Sequence, residues 1–421
     1  MTVVGGLVEH ELACGNRRRS AAARRTVLVI VHTLVYGQRL RDLFLPLASD
    51  PRIRVTFTVA PHRFDAGARR FLSDAGWAAM PWERAIRTRF DLALAAGSRG
   101  IERVSAPIIL IPHGASHIKL ARTPAPPGAV GQRPVHGLSR EYLMRDNRVV
   151  PKIIALAHEE ERAELARWCP EALPMTEVVG DPFLDRIMFS LPRRAEYRRA
   201  LGLGEDGKLI VACFTWQPKI SSNDLKALLG RIQRELAAPE YRTVLLIHPN
   251  AREGAGGKLL DSLLEEYRSH GIEMIAPEVD WRPLLIAADW IIGDHGSITL
   301  YGTISRTPIL LERFPLASVS PISPAAELAL VAPRVLPLRP LAEQLEAATS
   351  GYRLDRHAAI AARIASEPGQ FDRNIRRLLY RLLALDPPVH WPAGDPLPLP
   401  PSLSRPQIRS FSRFASLGLF S

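Results

Sequence analysis

Cysteine is scarce. The 421 residues include three, Cys14, Cys169 and Cys213, widely separated and odd in number. That excludes a disulfide framework and any zinc-type spacing, and it fits a reducing, cytosolic setting. No apolar run approaches the roughly 18 residues that a membrane-spanning helix requires. The run Val27–Val31 behind the arginine-rich start is too short for a signal-peptide core and reads as a strand, so any membrane contact would be peripheral and charge-driven. Also missing are a His-x-x-x-His helix, a Walker A loop, a Gly-x-Gly-x-x-Gly fingerprint after the first strand and a Gly-x-Ser-x-Gly elbow. A P-loop enzyme or a dehydrogenase is therefore disfavoured. No acidic pair stands at metal-ligand spacing, so a divalent ion would ride on substrate phosphates. Aromatics make up 7% of the chain and do not interleave with a basic stripe, which argues against nucleic acid as the partner.

What is present is apolar and basic. A hydrophobic content of 47% supports a sizeable core and two domains. Lys and Arg number 55 against 43 Asp and Glu, a formal net charge of +12. Such an excess favours anionic partners: nucleotides, phosphorylated polymers, nucleic acid or an acidic membrane surface.

Strand-like and helix-like patterns alternate. Thr26–His32 (TVLVIVH) is nearly continuous apolar, as a strand buried on both faces must be. Gln38–Ala48 carries Leu40, Leu43, Phe44 and Leu47 on one helical side. Ile53–Val59, Phe90–Ala95, Pro107–Ile111, Lys152–Ala157 and Glu177–Val179 continue the strands. Helices are expected at Ala66–Ala75, His158–Arg167 and Leu184–Met188. Gly114–Asp146 breaks the periodicity and reads as a long loop bearing Lys119, Arg122, Arg133 and Arg140. Ser190–Asp206 reads as a boundary. A second series follows, with strands at Leu209–Phe214, Thr243–Ile247 and Ile272–Ile275 and helices at Leu225–Ala237, Leu259–Ser269 and Asp280–Ala287. Further helices are expected at Leu341–Ala348, His357–Ala365 and Phe371–Leu385. Such alternation indicates parallel sheets covered by helices on both faces.

Polar turns stand at the carboxyl ends of three expected strands: Pro112-His113-Gly114, His248-Pro249-Asn250 and Asp294-His295-Gly296-Ser297. Ligands of open parallel sheets collect on that edge, and two such sheets face to face form a cleft. The last turn lies in Ile286–Leu311, which reads strand, turn, helix, strand. It is either an ordinary helix cap or a phosphate site built from backbone N–H groups with Ser297 and Thr299. A carboxylate repels phosphate, so Asp294 is better cast as an organiser of the turn. His295 has a packing role or a catalytic one. His113 can act as a general base or simply end its strand, with Gly114 allowing close approach. His248 can donate to a phosphate oxygen or bond to nearby backbone. Lys219 can neutralise a pyrophosphate beside Trp216. Lys119, Arg122 and Arg133 can bind an anionic acceptor or only solvate their loop.

In order along the chain, these turns, together with VVGDPFLDRI (178–187) and CFTWQPK (213–219), resemble the GT-B glycosyltransferase superfamily. The nearest likeness is to the CDP-glycerol glycerophosphotransferase family of wall teichoic acid and capsule-polymer synthesis, over roughly residues 26–350. The resemblance implies an α/β fold of two Rossmann-like domains facing across a cleft. It places the family's candidate base on His113, its His-Pro pair on His248 and Pro249, and its Asp-Tyr-Ser-Ser turn on Asp294, His295, Gly296 and Ser297. The sequence departs from the family at His295 and Gly296, at Pro112 where the family has Trp, and at Trp216-Gln217 where it has Trp-Arg.

The resulting expectation divides the chain into a basic leader without regular structure (1–24), an acceptor-side domain (25–190) and a nucleotide-donor domain (205–355). C-terminal helices (356–385) pack back on the first domain, and a Pro/Ser/Arg-rich tail (386–421) follows. His113 and His248 are the expected catalytic residues. Gly114, Trp216, Lys219, His248, Asp294, His295, Gly296, Ser297 and Thr299 are expected around a donor such as CDP-glycerol or a nucleotide-sugar, with no protein-bound metal. The implied activity is transfer of glycerol phosphate or a sugar to an acceptor hydroxyl, on an anionic or lipid-linked molecule of the cell envelope. The implied place is the cytoplasm or the inner face of the membrane. The alternatives are a UDP-sugar epimerase of the same architecture and a non-catalytic nucleotide-, polyanion- or nucleic-acid-binding protein.

Overall fold

The structure is a computed structural model that describes residues 24–121, 133–215, 222–236, 238–251, 271–389 and 396–403, with a few isolated residues between 257 and 267. The leader expected over 1–24 lies almost wholly outside the described residues, and so does most of the Leu259–Ser269 helix.

The first strand, β1 (Arg25–Val31), shows how sequence becomes core. Val27, Val29 and Val31 enter one apolar cluster, and Leu28 and Ile30 enter another on the opposite face. A strand's two-residue period permits nothing else, and covering both faces demands the unbroken apolar run. Around β1 lie β2 (Ile53–Val59), β3 (Ala79–Met80), β4 (Leu92–Ala95) and β5 (Ile108–Leu110). A short hairpin, β6 (Met144–Arg145) and β7 (Arg148–Val149), stands apart. Strands β8 (Ile153–Leu156) and β9 (Thr176–Val178) complete a seven-stranded parallel sheet in the order β3-β2-β1-β4-β5-β8-β9.

The second sheet repeats the plan. Its strands are β10 (Lys208–Phe214), β11 (Tyr241–Ile247), β12 (Ile272–Met274), β13 (Trp290–Gly293) and β14 (Ile309–Leu311), all parallel, in the order β12-β11-β10-β13-β14. Leu209, Val211 and Cys213 of β10 face one core while Ile210 and Ala212 face the other. The molecule therefore has two Rossmann-like α/β units, the GT-B arrangement. In each sheet the strand order reverses beside the first strand, between β1 and β4 and between β10 and β13. Those reversals open crevices at the carboxyl ends.

Helices are exchanged between the units. The helix Pro182–Ser190 follows the first sheet, yet Phe183, Leu184 and Ile187 join the core of the second. The helix Phe371–Leu383 follows the second sheet, yet Phe371, Ile375, Leu378 and Leu379 join the core of the first. The boundary Ser190–Asp206 carries regular structure: a short 3-10 turn around Pro192 leads into the helix Arg194–Ala200, whose Tyr197 is fully buried. One expectation needs correction. The stretch read as a tail is partly packed, with Leu397 and Leu403 buried and the Tyr197 hydroxyl donating to the Leu397 carbonyl at 2.9 Å.

A buried ionic cluster fixes the two units against each other. Arg39, on the helix Leu34–Ala48, pairs with Asp181 at 2.7 Å and donates to the Tyr301 hydroxyl at 3.2 Å. Tyr301 in turn donates to Asp181 at 2.9 Å. Arg39 Nε also donates to the Pro112 carbonyl at 2.9 Å, so the residue preceding His113 is pinned directly. All of Arg39, Asp181 and Tyr301 are essentially inaccessible to solvent. The Tyr301 hydroxyl lies well above its ordinary pKa because burial and the Asp181 carboxylate both oppose ionisation.

Candidate active site between the two sheets

The second sheet's reversal crevice is closed by Asp294. Its Oδ2 accepts the Thr215 backbone N–H at 2.7 Å and the Thr215 hydroxyl, tying the end of β10 to the end of β13. Its Oδ1 accepts the Gly296 N–H at 2.7 Å. Asp294 is buried and both its oxygens are engaged, so it shapes the turn. Glycine is required beside it. A Cβ at Gly296 would stand 2.5 Å from Thr215 Cγ2 and 2.9 Å from Asp294 Oδ1, and one at Gly293 would stand 2.3 Å from Thr299 Oγ1.

Thr299 braces the same turn. Its hydroxyl points inward, accepting the Asp294 N–H at 3.2 Å and lying 3.3 Å from Cys213 Sγ. It anchors the turn from below and also lines the cleft. The helix that follows, Ser297–Tyr301, has five residues, so little macrodipole can build up along it. Ser297 at its start is half-buried and lines the cleft. His295 is buried, packs edge-on to Phe314 at 6.2 Å, and has Nδ1 3.9 Å from Asp294 Oδ2. Burial lowers its pKa against the pull of Asp294.

His248 closes β11. The Asn250 backbone N–H donates to its Nδ1 at 3.2 Å. In the neutral ring the proton therefore sits on Nε2, which makes His248 a hydrogen-bond donor. Burial, and then Lys119, bring its pKa down to about 4.

The loop after β5 forms the opposite wall. His113 is half-buried with its ring 4.9 Å from that of Tyr36. Its pKa is well below the ordinary value, first through burial and then through His136, Lys119, His117 and His248. Gly114 meets the second unit directly, since a Cβ there would fall 2.3 Å from Ser297 Oγ. Just beyond, backbone bonds stitch the loop to the other unit: Ser320 N–H to the Ile118 carbonyl at 2.8 Å and Leu120 N–H to the Ser318 carbonyl at 3.0 Å. Arg133 belongs to the same stitch, donating to the Ala317 carbonyl, rather than reaching for an acceptor. Lys119, though exposed, lines the cleft and lies within electrostatic reach of His113, His248 and His295.

His117 went unnoticed in the sequence. Its Nδ1 lies 2.6 Å from Glu161 Oε1. Glu161, buried at the start of the helix Glu160–Trp168, also accepts the N–H groups of His117 at 3.2 Å, Ala157 at 2.9 Å and His158 at 3.3 Å. Burial raises its pKa, but His117 and these amides outweigh that and hold it below the ordinary value. The partners are 44 residues apart, and only the capping spacing His158-x-x-Glu161 hinted that Glu161 would turn back.

His113, Gly114, Lys119, His248, Asp294, Ser297 and His117 line one cleft of about 1290 Å3 including its mouth. Trp216 and Lys219 lie outside the described residues. Among the described residues no cluster of His, Cys, Asp and Glu is arranged to hold a metal ion, and no helix is long and apolar enough to cross a membrane.

No protein-family model matches the chain, and no curated protein matches its sequence. Solved structures match its shape. The wall teichoic acid polymerase TagF is 15% identical with a TM-score of 0.58, the match covering 86% of this chain and 89% of that one. A TagF variant soaked with CDPG is 14% identical with the same TM-score, covering 90% and 93%. The S. aureus MnaA-UDP co-structure is 12% identical with a TM-score of 0.52, covering 85% and 97%. At such identities the similarity defines the fold, and that fold is GT-B.

Proposed function

We propose that the protein is a transferase that moves glycerol phosphate or a sugar from a nucleotide-activated donor to an acceptor hydroxyl. The observation that carries this reading is the convergence of Lys119, His248 and Ser297 on one interdomain cleft, with Gly114 against Ser297. One cation, one N–H donor and one hydroxyl suit the oxygens of a diphosphate. Thr215, Asp294, Gly296 and Thr299 hold the turn that presents Ser297. A TagF variant was soaked with CDPG and MnaA was solved with UDP, which supports a nucleotide as the donor's handle.

The acceptor hydroxyl approaches from the first unit, beside His113. The resemblance casts His113 as the base. Burial, and then the nearby Lys119 ammonium, make its imidazolium costly, so it better serves as a neutral hydrogen-bond partner that orients the hydroxyl. Attack on a glycerophosphate donor at phosphorus expels CMP, and attack on a sugar donor at the anomeric carbon expels the nucleoside diphosphate. Lys119 and the His248 N–H stabilise the charge gathering on the leaving phosphate. The net charge of +12 suits an anionic or lipid-linked acceptor.

Calorimetry with CDP-glycerol, CDP, UDP and UDP-sugars tests the reading. Saturable binding of one nucleotide series, weakened about tenfold or more by Lys119→Ala, is expected. No binding to any of them would sink it.

A further inference from the structure

We propose that His117, oriented by Glu161, takes the acceptor's proton in the transfer reaction. The inference rests on the transferase reading above, and it concerns a residue to which the resemblance assigns no role.

A carboxylate only accepts hydrogen bonds, so the 2.6 Å contact with Glu161 puts the neutral ring's proton on Nδ1. Nε2 keeps its lone pair and has no hydrogen-bond partner among the described residues. Gly137 packs closely against the Cδ2–Nε2 edge of the ring, where only a residue without a side chain fits. A Cβ on Gly137 would lie 2.5 Å from His117 Cδ2 and 2.9 Å from Nε2, and this glycine, at φ +100°, holds a backbone conformation that side chains disfavour. His117 and His248 are thus opposite tautomers on opposite walls of one cleft: His117 can accept a proton where His248 donates one.

Charge decides between His117 and His113. Protonating His113 places a cation in a buried site near the Lys119 ammonium. Protonating His117 creates an ion pair with a buried carboxylate fixed by three backbone N–H groups. On the cleft side, His113 and Lys119 face His117. Behind it stand His158, Glu160, Glu164 and Arg363, where Glu160 is paired to Arg363 and Glu164 accepts from Trp168. Among these charged groups, Glu161 is the one hydrogen-bonded to the ring.

The step balances. The acceptor O–H proton moves to Nε2 as the oxygen bonds to the donor's phosphorus or anomeric carbon. The bond from that atom to the nucleotide's phosphate oxygen breaks, the nucleotide leaves with the electron pair, and Nε2 then returns its proton to solvent.

Water can stand in for the acceptor, so slow hydrolysis of CDP-glycerol to CMP or of UDP-glucose to UDP is a sufficient assay. His117→Gln should lower turnover about 100-fold or more while nucleotide affinity stays within about twofold. Glu161→Gln should lower turnover and move the acid limb of kcat/KM to lower pH, because the imidazolium loses its counter-charge; a purely structural Glu161 would leave that limb in place. Nitrogen NMR of the wild-type ring should report protonated Nδ1 at neutral pH. A proton on Nε2, or full turnover in a folded, nucleotide-binding His117→Gln, would overturn the proposal and leave the transferase reading standing. Absence of nucleotide binding in the wild-type protein would overturn both.

Discussion

The two walls of the cleft reach rigidity by different means. The first is held by buried charge: Arg39 with Asp181 behind Pro112, and His117 with Glu161 beside it. The second is held mostly by close approach: Gly293 against Thr299, Gly296 against Thr215, and one carboxylate bound to backbone. Buried ions position strongly but tolerate no loss of a partner. Small residues position by leaving no room and fail when a carbon is added. The difference teaches that the first wall should break by deletion and the second by insertion.

The largest effect is expected at the first wall. Arg39→Met leaves Asp181 buried without its cation, and a loss of about 3–5 kcal/mol in urea-induced unfolding is expected. A loss under about 1 kcal/mol would mean that Tyr301 and the amides of Phe183 and Leu184 already satisfy Asp181.

A proton can also load this wall. His32 stands behind Tyr36, its ring 5.9 Å away, and donates from Nε2 to the Arg99 carbonyl at 2.7 Å. Burial lowers its pKa to about 4 from the ordinary 6.5. The unfolded chain therefore binds the proton more readily, and stability is lost as pH falls from about 6.5 towards 4. Across that window the wild type should lose up to about 3 kcal/mol more than His32→Gln, followed by urea midpoints at each pH. Parallel curves would show that the His32 site opens to water before it charges.

The smallest effect should come from the second wall, by addition. In Gly296→Ala the new carbon meets Thr215 and Asp294, at a cost of about 1–3 kcal/mol. Because the displaced turn presents Ser297, nucleotide affinity by calorimetry should fall about tenfold while the urea midpoint moves less than in Arg39→Met. Unchanged affinity would detach the turn from the donor.

The strands were legible because burial on both faces leaves an unmistakable run, as in TVLVIVH, and the turns because glycine and histidine stand where such runs stop. What the sequence hid was pairing at a distance. Arg39 looks like one polar residue on an amphipathic helix, and its partner is 142 residues away. His117 sits in an irregular loop with no period to mark it. Pro192 marks the boundary in the sequence, but not the 3-10 turn that joins two helices there. The helix Pro324–Val331 escaped notice although Ser323 caps it and Pro324 opens it. The spacing of Thr299 places it beside the turn; that its hydroxyl also braces Gly293 and Asp294 is a tertiary fact.

The stitch at residues 118–120 and 318–320 bears on how the cleft empties. Those two backbone bonds make the loop carrying His113 and His117 an edge of the second unit as much as a loop of the first. A hinge that simply swung the sheets apart would have to rupture them, or else drag the loop along and strip His117 from Glu161. On the transfer mechanism proposed above, opening of the second kind would also disassemble the His117–Glu161 pair, so an opened molecule could not hydrolyse its next donor before the mouth had closed again.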